Sequence, residues 1–211
     1  MKRKKLSEPT IERLCRIYTL AEKMSREGIM SVTSKVMEKK TGIPSHTIRK
    51  DLSMIGTAGS TRSGYAMASL KNLISTALLF NVPRKACIAG LSMPGLSMLD
   101  NPETRDFGFE VLAGFDSSIN RIEMVETSIP LFPSYEITEK VREMGIEIAV
   151  LAVPPYSAEK TAASLIEGGV TGIINFSPVI LSFEKRGIIV KNIYLPEELR
   201  ILSALITAGG K

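Results

Sequence analysis

From Lys85 onward, short runs rich in Ile, Val, Leu and Ala alternate with amphipathic helical stretches, and this alternation constrains the fold more than any other feature of the 211 residues. The runs are KACIA, EVLAGFD, a short one near Ser128, IEIAVLAVP, TGIINF and GIIVKNIYL. A helix is expected from about Gly95, and ITEKVREM and SAEKTAASLIEG supply two more. Runs that stay apolar at consecutive positions suit parallel strands covered on both faces. Strands and helices in this order form a doubly wound, Rossmann-like α/β sheet. The last segment, PEELRILSALITAGG, sets Leu199, Leu202, Leu205 and Ile206 in a helical stripe wide enough to pack on more than its own domain.

The front of the chain is different in charge and in period. Residues 1–70 hold 14 Lys or Arg against 6 Asp or Glu, whereas residues 71–211 hold 13 against 16. A basic compact region attracts a polyanion, either nucleic acid or an anionic membrane surface. No apolar run approaches the roughly 18 residues of a membrane span. The opening MKRKKLSEPTIERL continues into a charged amphipathic stretch, unlike a signal peptide. The expectation is therefore a cytoplasmic protein partnered with nucleic acid and not with a membrane. Cys15 and Cys87 fall in different predicted domains without C-x-x-C spacing, and His46 is the single histidine, so the sequence offers two core thiols and no metal set.

Between Pro9 and Glu27 the apolar residues Ile11, Leu14, Ile17, Leu20, Ala21 and Met24 recur at helical spacing, with Gly28 as a stop. Thr33 is placed to cap a second helix, SKVMEKK, ending at Thr41 and Gly42. A third, SHTIRKDLSMIG, turns Ile48, Leu52 and Ile55 inward and leaves His46, Thr47, Arg49 and Lys50 outside. The glycine-rich GTAGSTRSGYAM then suits a β-hairpin with Arg62 near its tip, and residues 70–80 a linking helix. This order is a winged helix-turn-helix. The major groove of B-DNA admits one helix, whose leading side chains read base edges while basic and hydroxyl groups hold phosphates. Ser34, Lys35, Ser45, His46, Thr47, Arg49 and Lys50 are the candidate contacts, and Arg62 suits a minor groove.

At residues 86–99, ACIAGLSMPGLSML sets Gly90, Ser92 and Gly95 at the spacing of the G-x-G-x-x-G turn that holds a dinucleotide pyrophosphate, with Leu91, Met93 and Pro94 between them. Asp116 follows 21 residues after Gly95, where an acid holds ribose hydroxyls. Ser92 replaces the glycine that lets the backbone touch the pyrophosphate, and Pro94 removes a backbone donor. AVPP and NFSP end later strands, which puts Val153, Pro154, Asn175 and Ser177 beside the same cleft. A catalyst is not expected, because the α/β segment has no imidazole base and no substrate domain. The ligand readings are a dinucleotide, another nucleotide such as a coenzyme A compound, or none. A small Rossmann oxidoreductase is the enzyme alternative.

PTIERL at 9–14, VTS at 32–34, IRKDLSMIG at 48–56, RSGY at 62–65, GFEVLAGFD at 108–116, AVPP at 152–155 and GVTGIINFSP at 169–178 resemble the Rex family of redox-sensing transcriptional repressors. The resemblance spans nearly the whole chain. It implies a homodimer whose winged domains bind a palindromic operator and whose Rossmann domains bind NAD(H), NADH closing the dimer and NAD permitting DNA binding. It also implies three regions: a DNA-binding domain and linking helix at 1–80, a nucleotide domain at 81–195, and a helix at 196–211 swapped onto the partner. Arg13 matches an arginine of the family's first helix and joins the DNA-binding set, here without its acid partner. The chain departs from the family's G-A-G-x-L-G at residues 90–95, from a tyrosine near Asn101, and from an aspartate at Tyr194. These departures imply a repressor with an altered or weakened NADH response.

Overall fold

The computed structural model describes residues 6–56, 64–183 and 187–209. It divides into two units, Met1–Val82 and Pro83–Lys211. The first contains helices α1 (Glu8–Arg26), α2 (Ser34–Thr41), α3 (Ser45–Ile55) and α4 (Met67–Leu78), with short strands β1 (Ser31–Val32) and β2 (Tyr65–Ala66). Pro9 sits in the first turn of α1, where its missing N–H costs nothing, and Glu8 faces the positive helix end. Thr33 caps α2 by accepting from the Val36 amide at 3.3 Å, and Gly42 ends it in the left-handed conformation, φ 72°. Leu14, Ile17, Met37, Ile48, Leu52, Leu70 and Ile74 form one core among the helices.

One expectation for this unit changes. The linking helix begins at Met67, before residue 70, and ends at Leu78, because Leu79 turns left-handed (φ 60°) and Phe80 folds back to meet the Tyr18 ring at 5.0 Å. β2 pairs antiparallel with β1, Val32 opposite Tyr65. The tip of the expected wing, with Arg62, lies outside the described residues.

The second unit contains strands β3 (Arg84–Ala89), β4 (Phe109–Asp116), β5 (Leu131–Pro133), β6 (Ile148–Leu151), β7 (Gly172–Asn175) and β8 (Ile189–Asn192), with helices α5 (Pro102–Asp106), α6 (Ile119–Met124), α7 (Ile137–Met144), α8 (Pro155–Gly168) and α9 (Leu195–Gly209). The strands form one parallel sheet in the order β5-β4-β3-β6-β7-β8. The order reverses between β3 and β6, and open sheets of this kind place ligands beyond the strand ends at that point. Alternation along the strands sends Cys87, Ala89, Ala113, Phe115, Ala149 and Leu151 into a core with Ile137, Val141, Ala158, Ala162 and Leu165 of α7 and α8. Ile88 and Val150 point the other way, against Leu91 and Leu99.

The helix expected from Gly95 is not formed. A single 3₁₀ turn, Leu96–Met98, and the five-residue α5 make the crossover instead. Pro102 disfavours helical backbone at Asn101, which is extended (ψ 114°) and caps α5 by accepting from the Glu103 amide at 2.9 Å. The strand expected near Ser128 lies a little later, at Leu131–Pro133. No residue of α9 is buried by its own chain: Leu195, Leu199, Leu202, Leu205 and Ile206 are 54 to 68 % exposed. Among the described residues no helix is long and apolar enough to cross a membrane.

Candidate nucleic-acid interface and nucleotide cleft

On α3, the buried Ile48 and Leu52 fix the inward side, which leaves His46, Arg49, Lys50 and Ser53 exposed at helical spacing on the other. Ser45 and Thr47, half-buried, begin the same helix. Arg49 donates from Nη1 to Ser34 Oγ at 3.1 Å, so the start of α2, with the exposed Lys35, stands beside α3. The structure thus brings Ser34, Lys35 and the α3 residues into one donor-rich surface. Ser53 belongs to that stripe and was missed, although its position seven residues after His46 placed it there.

Arg13 has an acid partner after all, which corrects the expectation drawn from the family resemblance. Its Nε donates to Asp51 Oδ2 at 2.6 Å and its Nη2 to Asp51 Oδ1 at 3.0 Å, with a further bond to Thr10 at 3.2 Å. Asp51 is buried, its side chain 2 % exposed, whereas that of Arg13 is 29 % exposed. The hydrogen bonds from Arg13 to Asp51 hold the guanidinium pKa above its ordinary value, against desolvation. This pair fastens α3 to α1, and it takes at least two of Arg13's five donors away from any outside partner.

In the second unit, Gly90 and Gly95 are required by the chain's own packing. Gly90 has φ 103°, and a Cβ there would lie 2.2 Å from the Ala152 carbonyl oxygen. A Cβ on Gly95 would lie 2.2 Å from the Gly90 carbonyl oxygen. Ser92, exposed between them, turns its hydroxyl onto the Ala152 carbonyl at 3.2 Å. Leu91 is buried, and its amide donates to Asp116 Oδ2 at 2.8 Å. Met93 is exposed and Pro94 half-buried.

Asp116 ends β4 with both oxygens engaged. Oδ1 accepts from the Ser118 amide at 2.9 Å and from Arg121 Nη1 at 3.1 Å, and Oδ2 accepts from Leu91 and from Arg121 Nη1 at 2.9 Å. Burial by itself raises the carboxyl pKa, but the Ser118 and Leu91 amides and Arg121 together bring it below the usual value. Around it lies a cleft of about 780 Å³ at the carboxyl ends of β3, β4 and β6. Gly90, Ser92, Val153 and Pro154 line it with Asp116, as the sequence suggests.

Asn175 and Ser177 do not line that cleft. The Asn175 Nδ2 donates to the Val179 carbonyl at 2.7 Å and to Asn192 Oδ1 at 2.8 Å, and its Oδ1 accepts from the Ser177 amide and hydroxyl. Both residues are buried in this knot. Arg121, Tyr135, Tyr156 and Lys160 do line the cleft, and sequence reasoning missed them. Arg121 alone carried a signal, a cation five residues beyond a ribose-type acid. Burial pushes the Cys87 thiol, in this unit's core, up to about 12.

The comparisons with known proteins agree with this division of labour. Residues 5–53 match the family described as "Putative DNA-binding protein N-terminus", and residues 81–179 match the "CoA binding domain" family. A redox-sensing transcriptional repressor Rex of Carboxydothermus hydrogenoformans is 30% identical over 203 residues, covering 96% of this chain and 97% of its own. The Rex of Pelotomaculum thermopropionicum is 29% identical over 203 residues, 96% of this chain and 95% of its own. The crystal structure of RSP in complex with beta-NAD+ and operator DNA has a TM-score of 0.87 at 22% identity, covering 98% of this chain and 95% of that one. It shares the fold. On the strength of an identity that runs through both units, this chain belongs to the Rex family of redox-sensing transcriptional repressors.

Proposed function

We propose that this chain is a homodimeric transcriptional repressor that binds a palindromic operator and whose DNA affinity responds to NAD(H) with an altered or weakened NADH effect. The single observation that carries the DNA half is the exposed stripe of His46, Arg49 and Lys50 on α3 beside Ser34 and Lys35 of α2. A helix so furnished supplies donors to base edges and phosphates at once. Arg13, tied to Asp51, orients α3 in this reading and adds field rather than a full set of direct contacts. The dimer reading is supported by six large apolar side chains of α9, Leu195, Leu199, Ile201, Leu202, Leu205 and Ile206, that stay 48 to 68 % exposed. Rex relatives are named redox-sensing, and RSP is described in complexes with beta-NAD+ and with beta-NADH, which supports a dinucleotide as the effector.

The α/β unit reads as a sensor and not as a catalyst, since the one histidine, His46, is in the other unit and the cleft acid is already engaged. The altered response is supported by Ser92 at the point of closest ligand approach and by Asn101 and Tyr194 in place of the family's tyrosine and aspartate. Asn101 is occupied as a helix cap, and Tyr194 lies just before α9, its carbonyl accepting from Glu197 at 3.0 Å. Fluorescence anisotropy with a labelled palindromic duplex tests both halves. Tight binding that Arg49→Ala abolishes, with release only at NADH concentrations well above micromolar, is expected. Unchanged affinity in Arg49→Ala removes the DNA assignment, and release at micromolar NADH removes the weakened response.

A further inference from the structure

Asp116 and Arg121 form a closed unit inside the cleft. The chain between them is short and orders itself: Ser118 donates its amide to Asp116 Oδ1 at 2.9 Å, and its hydroxyl accepts from the Arg121 amide at 3.3 Å to begin α6. That turn delivers Arg121 Nη1 to both carboxylate oxygens, at 3.1 and 2.9 Å. A carboxylate offers about four lone-pair sites. With the Leu91 amide at 2.8 Å, donors occupy them all. Among the described residues that line the cleft, Asp116 is the only carboxylate.

These donors are not equally fixed. Leu91 and Ser118 donate from backbone that the fold holds in place, whereas Arg121 donates from a long side chain that is 47 % exposed, against 4 % for Asp116. Water can take the guanidinium back at modest cost, so Arg121 is the donor that a ligand can displace. In a βαβ nucleotide site the acid that ends the second strand accepts the adenosine ribose hydroxyls. β4, paired with β3, is that strand here. Ribose and Arg121 therefore compete for the same lone pairs.

We infer that Arg121 is a latch on the ribose subsite: paired with Asp116 it closes the acceptor, and a dinucleotide seats fully only when its ribose displaces the guanidinium. The inference rests on reading the cleft as the repressor's dinucleotide site, and it deepens that reading by naming a residue that sets effector affinity. NAD and NADH carry the same adenosine, so the latch weakens both by one factor, the fraction of protein in which the acceptor is open. It sets how much dinucleotide the repressor needs. Preference between the two redox forms is left to contacts with the nicotinamide.

Calorimetric titration of the full chain and of its Arg121→Ala variant tests this with three ligands: NADH, NAD, and NADH lacking both hydroxyls of its adenosine ribose. The substitution leaves Asp116 its two backbone donors, and unchanged thermal unfolding checks that the fold is kept. The variant is expected to bind NADH and NAD each about tenfold more tightly than the parent chain. It is also expected to favour NADH over the dideoxy form about tenfold, where the parent chain shows a ratio near unity. Equal or weaker NADH binding by the variant overturns the latch, because Arg121 then serves the ligand. Tighter binding with an unchanged hydroxyl preference overturns it too, because Arg121 then only obstructs the cleft. In either case operator release by NADH from the parent chain leaves the repressor reading standing. No binding of NADH or NAD to either protein, with no operator release, overturns both.

Discussion

Gly90 and Ser92 stand two positions apart in one loop and answer to different demands. Gly90 exists for the protein itself: the Ala152 carbonyl would lie 2.2 Å from any Cβ there, at a φ of 103°. Gly90→Ala is expected to lower stability by about 2 kcal/mol or more, measured by chemical denaturation, since a left-handed alanine and a backbone clash add. The position held by Ser92 ordinarily serves the ligand. Ser92→Gly removes a side chain from the approach path and gives up one hydroxyl bond to Ala152, so NADH affinity is expected to rise about tenfold with stability changed by about 1 kcal/mol or less. Calorimetry and a thermal melt read the two effects apart. The spacing of the loop was legible in the sequence. Which of its glycines the fold needs was not, because the atom that forbids a side chain at Gly90 comes from Ala152, just past the end of β6 and far along the chain. The same blindness hid the fate of Asn175 and Ser177, whose polar atoms are consumed by Asn192 and by each other.

Elements with strong periodicity were read well, and those decided by distant pairing were not. The inward faces of α1 and α3, the Thr33 cap and the carboxyl-edge cleft follow from spacing and local chemistry. The crossover after β3 does not, since Pro102 and the Asn101 cap break a helix that the apolar pattern permits. The pairing of Arg13 with Asp51 joins residues 38 positions apart and has no local signature. It also creates an asymmetry that mutation exposes. Removing Arg13 strands a buried carboxylate, so Arg13→Ala is expected to cost about 3 kcal/mol. Asp51→Asn leaves a cation that already reaches solvent and keeps one acceptor, for a cost nearer 1 kcal/mol. Urea denaturation of both variants measures the difference, and equal losses contradict the orienting role of the pair.

At the scale of the molecule, the basic front and the acidic α/β body were both legible from composition, and the terminal helix from its stripe. What the stripe packs on was not legible, because a helix that finds no cover in its own chain looks the same in sequence as one that does. The double variant Leu202→Asp, Leu205→Asp is expected to turn a dimer into a single chain in light scattering and to weaken operator binding about a hundredfold, as two linked half-site contacts become independent. A dimer that survives this change places the association elsewhere. Since no residue of α9 is buried by its own chain, in the proposed dimer its shelter is lent by a neighbour and vanishes on dilution. The switch accordingly has a second input besides any dinucleotide. In that reading, few copies per cell leave operators open whatever the redox poise, and repression is expected to begin only once protomer concentration has passed the dimer's dissociation constant.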